Sequence, residues 1–75
     1  MNLSATTDSI TLTLNGEVRL FTAGASVADL VRAIGLNPKK VAVERNLEIV
    51  PRSTLTEVKL ADGDILEIVH FVGGG

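Results

Sequence analysis

The sequence predicts an α+β roll: a mixed sheet of four to five strands with one main helix covering one face. Three observations predict it. Short stretches of period-2 alternation recur along the chain, one stretch carries a helical stripe, and their order is close to β-β-α-β-β-β. At 75 residues there is room for a single hydrophobic core. A composition 45% hydrophobic and 21% charged is that of a folded body, not a disordered one. Phe21 and Phe71 are the only aromatic residues, so the core must be aliphatic.

Residues 1–9 are small and polar and read as a flexible N-terminal leader, without the basic start and apolar stretch of a signal peptide. Residues 10–14 (ITLTL) alternate apolar and β-branched polar side chains, as a half-buried strand does. Asn15-Gly16 suits a type I′ turn, with positive φ at both central positions, and Val18 and Leu20 alternate on the returning strand. The chain therefore opens with a hairpin. Ser26 is placed to N-cap a helix over residues 26–34, with Asp29 at the third position, where its charge complements the helix dipole. Val27, Leu30, Val31 and Ile34 form one apolar stripe. Gly35 suits the left-handed residue after the helix, and Pro38 forbids its continuation.

Residues 41–45 read as a further strand, Asn46 as a turn, and residues 48–50 as a short extended piece that Pro51 confines to an edge. Residues 53–61 are weakly periodic and read as an irregular turn containing Leu55. Asp62-Gly63-Asp64 is a turn signal. The longest apolar run, residues 65–72, is broken only by Glu67 and His70 and suits a central strand. The division is thus a leader (1–9), a folded domain (10–72) and a flexible glycine tail (73–75).

Period matching sets the helical stripe against Leu12, Leu14, Leu20, Leu66 and Ile68. Ile65, Val69 and Phe71 have the opposite parity. One helix covers one face, so either Val69, Phe71 and Val72 form part of a partner-binding patch, or residues 53–61 fold over that side.

Several function classes fall away. Net charge is −2 and the seven basic residues are scattered, which does not suit nucleic acid. No apolar run is long enough to span a membrane. There are no cysteines, which removes disulfides and thiolate chemistry and fits the cytoplasm. His70 is a lone histidine within a strand, and Asp62 with Asp64 make a turn rather than a metal site, so no catalytic or metal-binding residue is expected. The serines and threonines have no accompanying base and orienting group, so the chain does not read as an enzyme.

What remains is Gly73, Gly74 and Gly75, slim and free in φ and ψ. Their own α-carboxylate is the reactive group they present, although a frayed end or linker has the same composition. Four stretches give the chain a resemblance. They are Leu14-Asn15-Gly16-Glu17, the helix start from Ser26 to Leu30, Ile49-Val50-Pro51-Arg52, and Asp62-Gly63-Asp64 leading through Glu67 to Gly75. Across residues 10–75 the chain resembles the ThiS family of small sulfur carriers, which departs from it in ending on two glycines rather than three.

The resemblance implies a β-grasp, ubiquitin-like fold and a role in thiamine biosynthesis. It implies that the Gly75 carboxylate is adenylated by an E1-like adenylyltransferase of the ThiF type, and that Gly73 and Gly74 enter that enzyme's channel. ATP and magnesium are used by that partner, and no cofactor is bound by the chain itself. A cysteine desulfurase relay then supplies sulfur for a thiocarboxylate, which donates it to thiazole synthase (the ThiG type). The chain is on this view a carrier modified by its partners. The small subunit of molybdopterin synthase and a non-catalytic ubiquitin-like interaction module are the competing resemblances.

Overall fold

Asn15 and Gly16, with φ of 49° and 86°, reverse the chain between β1 (Ser9–Leu14) and β2 (Glu17–Thr22) in the computed structural model, which describes residues 8–71. Next along the chain come α1 (Val27–Ala33), β3 (Val41–Arg45), β4 (Glu48–Val50) and β5 (Ile65–His70), with short 3-10 turns at Pro38–Lys40 and Arg52–Thr54. The sheet order is β2-β1-β5-β3-β4. β5 is central, parallel to β1 and antiparallel to β3, while β2 and β4 are the edges. The Asn15 side chain carries the β1–β5 ladder past the turn. Its Nδ2 donates to the Ile68 carbonyl at 3.2 Å and its Oδ1 accepts from the Ile68 amide at 2.8 Å.

Helix α1 starts as its sequence dictates. Ser26 Oγ accepts from the Asp29 amide at 3.1 Å, and Asp29 Oδ2 accepts from the Ser26 amide at 3.0 Å, a reciprocal cap. Gly35 ends it with φ of 88°. Val27, Leu30 and Val31 are buried and Ile34 is half-buried, against Leu12 and Leu14 of β1, Val41 and Val43 of β3, and Leu66 and Ile68 of β5.

Leu20 is not part of this core; it is 71% exposed. The two-residue turn pairs Leu14 with Glu17 and Leu12 with Arg19, so these share the inner face. Leu20 lies opposite Thr11 and Val18 opposite Thr13, on the outer face.

Residues 53–61 do not fold over the outer face either. Leu55 and Leu60 join the core on the helix side. The amides at the start of a helix have no partners within it. Here Ala28 donates to the Leu55 carbonyl and Val27 to the Val58 carbonyl, each at 2.9 Å, and Leu60 donates to the Ala25 carbonyl at 2.9 Å.

The turn before β5 is built around a buried carboxylate. Asp64 accepts from Arg45 Nε at 2.8 Å, Asn46 Nδ2 at 3.0 Å and the Ala61 amide at 2.8 Å. Burial alone would push this carboxyl up, but Arg45, the Ala61 amide and Asn46 outweigh it and hold it below its ordinary value. Its contribution to stability is therefore complete above the ordinary carboxylate range and is lost as pH falls through the depressed value. Asp64→Asn should cost about 1.5–3 kcal/mol at pH 7. Urea unfolding followed against pH should show the gap to the native chain narrowing below the ordinary value. A gap constant with pH would remove the ionised carboxylate from the account.

Candidate docking face and strand end

With α1 and residues 53–61 both on one side, the described residues leave the other side of the sheet open. Alternation along each strand decides what stands there. Val18 and Leu20 come from β2, Ile49 from β4, and Ile65 and Val69 from β5, all exposed. Val69 is 63% exposed although it lies on the central strand. Glu44 and Glu67 are direct register partners across β3 and β5 on this face. Like charges placed opposite one another work against the sheet. An open face that combines large apolar side chains with such a pair has the composition of a contact surface.

Phe71 lies one residue beyond β5 and is 48% exposed. Its amide donates to the Lys40 carbonyl at 2.8 Å, prolonging the ladder, and the Arg52 guanidinium lies 5.4 Å from the centre of its ring. Of the residues expected to bind partners, Val69 and Phe71 are thus at the surface near the end of the central strand. Val72, Gly73, Gly74 and Gly75 lie outside the described residues. Val18, Leu20 and Ile49 belong to the same open face as Val69 and were not expected there. The signal that identifies the first two is the hairpin register, which sets Glu17 and Arg19 beside Leu14 and Leu12.

Among the described residues no three His, Asp or Glu side chains converge as metal ligands would. His70 is exposed at the last position of β5. Among the described residues no helix is long and apolar enough to cross a membrane. The candidate site is therefore the open face and the exposed end of β5 at Phe71.

Comparison with known proteins places this geometry. Residues 12–75 match the ThiS family. The sulfur carrier protein ThiS of Bacillus subtilis is 46% identical over 65 residues, covering 85% of this chain and 98% of the relative. A thiazole synthase of Paramagnetospirillum magneticum is 55% identical over 64 residues, 85% of this chain but 20% of that protein. The chain thus spans about one fifth of the length of that synthase and of a second from Magnetococcus marinus. The crystal structure of ThiS from Geobacter metallireducens superposes with a TM-score of 0.73 at 30% identity, over 88% of this chain and all of that one. A designed protein built on a ubiquitin template gives a TM-score of 0.53 at 18% identity, a likeness of fold alone.

Proposed function

The chain belongs to the ThiS family, and from that premise we propose that it is a sulfur carrier for thiamine biosynthesis, acting through the carboxylate of Gly75. The observation that carries this reading is that the family match runs to residue 75, so the three terminal glycines fall within it. A Gly75 carboxylate oxygen attacks the α-phosphorus of ATP on an E1-like, ThiF-type enzyme, and pyrophosphate leaves. The resulting acyl-adenylate is a far better electrophile than the carboxylate. Sulfur arrives as a persulfide from a cysteine desulfurase relay and displaces AMP to give an acyl disulfide. A second thiol then attacks the relay sulfur, leaving with it as a disulfide and releasing the thiocarboxylate, which serves thiazole synthase, the name carried by the relatives from Paramagnetospirillum and Magnetococcus.

Magnesium and the acid–base groups belong to the activating enzyme. The residues before β1 act as a leader, the stretch from Ser9 to residue 72 as the docking body, one residue longer than the sequence division, and 73–75 as the arm. Gly73 and Gly74 keep the arm narrow enough for a channel, since a side chain there would meet its walls. The setting is the cytoplasm, where ATP and the relay are found.

Val69 and Phe71 lie nearest the arm at the exposed end of β5, and there, together with Val72, the carrier docks on its partners. Val69 tests this more cleanly than Phe71, which also touches Arg52. Val69→Asp should reduce chain-dependent pyrophosphate release by a ThiF-type enzyme about tenfold or more, chiefly through KM, because an apolar contact is replaced by a charge. At an exposed strand position it should cost at most about 1 kcal/mol of stability. Native rates from the variant would overturn the docking face. No release with the native chain would overturn the carrier reading.

A further inference from the structure

Val50-Pro51-Arg52 serves neither the open face nor the terminal glycines. Pro51 leads into the 3-10 turn Arg52–Thr54, where the Thr54 hydroxyl donates to the Pro51 carbonyl at 2.8 Å. Between this turn, the C-terminal end of α1 and the Pro38–Lys40 turn lies a groove of about 540 Å³. Leu36 and Pro38 line it, with the buried Leu55 beneath them. Among the described residues, every charged residue lining it is a cation: Arg32, Lys39 and Arg52. In a chain of net charge −2 this is a local inversion of sign.

Those cations are not neutralised by the fold. Among the described residues neither Lys39 nor Arg52 has a carboxylate within salt-bridge distance, and Arg32 has only Asp29 at 3.6 Å, an exposed pair worth little. Arg52 is nevertheless held in place. Its Nη1 donates to the Lys39 carbonyl at 3.4 Å, and its guanidinium lies over the ring of Phe71. Both contacts orient the guanidinium and leave its charge available. Guanidinium geometry suits carboxylate and phosphate oxyanions through paired hydrogen bonds, and the apolar Leu36 and Pro38 beside it suit a peptide side chain rather than a free ion.

We propose that this groove is a second docking surface, which takes an acidic segment of a partner protein. An apolar side chain of that segment rests on Leu36 and Pro38, and its carboxylates meet Lys39 and Arg52. The groove is on the helix side of the sheet and adjoins Phe71, so a partner using both surfaces grips the end of β5 from two sides. The inference rests on the carrier reading for why a partner comes to this strand end. The groove alone sets the chemistry of the segment.

The test is a titration of the full, ¹⁵N-labelled chain with the peptide acetyl-Glu-Leu-Asp-Leu-Glu-amide. Amide shifts should concentrate in residues 32–39 and 52–56 and weaken with added salt. Lys39→Glu with Arg52→Glu should weaken binding by about tenfold or more, because charge-assisted hydrogen bonds are lost. Lys39→Gln with Arg52→Gln gives the same readout without added acid, should charge reversal disturb the fold. Unchanged affinity in the neutral variant overturns the proposal. So do shifts spread equally to Arg19 and Lys59, or equal shifts with inorganic phosphate, which mark simple anion attraction. A native chain that binds the peptide but never forms a thiocarboxylate overturns the carrier reading and leaves the groove standing. Thiocarboxylate formation without peptide binding removes the groove alone.

Discussion

Leu30→Ala should destabilise the domain by about 2–5 kcal/mol. Leu30 is fully buried at the centre of the α1 stripe, in the core formed with β1, β3 and β5. Truncation removes the transfer energy of the lost carbons and leaves a cavity that a single short helix cannot collapse to fill. Native domains have only about 5–15 kcal/mol in all, and one this small has little surplus. A loss at the upper end of this range brings a domain at the lower end of that stability to its unfolding midpoint at ambient temperature. Urea denaturation followed by circular dichroism measures the loss, with Leu30→Met as a volume-conserving control expected to cost less than about 1.5 kcal/mol. A loss near zero for the alanine variant would mean that α1 does not pack in the register described.

Removing Gly74 and Gly75 should have the opposite profile, with stability unchanged and carrier chemistry abolished. Glycine has no side chain to bury, and the buried cluster among the described residues ends at Ile68, so the deletion removes no core side chain. The truncated chain still ends in a carboxylate, but it falls two residues short, roughly 7 Å when extended. Adenylation depends on that carboxylate reaching the α-phosphorus in line, and a misplacement of even 1 Å can cost about a hundredfold. Adenylation and thiocarboxylate formation should both fall to background while the urea midpoint stays at its native value. Loss of stability would instead show that the terminal glycines contribute to the fold.

Much of the fold was legible because local chemistry and global packing agree. Asn15-Gly16 specifies the hairpin, Ser26 with Asp29 specifies the start of α1, and Gly35 its end. The apolar run of β5 marks the centre of the sheet. Reading failed where an apolar residue is not in the core. Leu20 has the pattern of an inward residue, but the hairpin register sets it outside, and only the pairing of Leu14 with Glu17 shows this. Ile49, to which sequence alone assigns no face, is likewise set outside by its register with Glu44. A docking face inverts the usual relation between apolar character and burial, so periodicity alone misassigns its members.

The roles of Leu60 and Asp64 were hidden for a different reason. Each depends on partners distant in sequence, Ala25 for Leu60 and Arg45 for Asp64, which no local pattern announces. The groove was likewise illegible, since Arg32, Lys39 and Arg52 look scattered along the chain and meet only in the fold.

The central claim is that Gly75 carries sulfur. The most direct measurement is the intact mass of this chain after incubation with a ThiF-type enzyme, ATP, magnesium, a desulfurase-derived sulfur source and a thiol reductant. The account predicts an ATP-dependent gain equal to exchanging one oxygen for sulfur, located on the C-terminal fragment and absent from the chain lacking Gly74 and Gly75. An unchanged mass, or the same gain on the truncated chain, would contradict it.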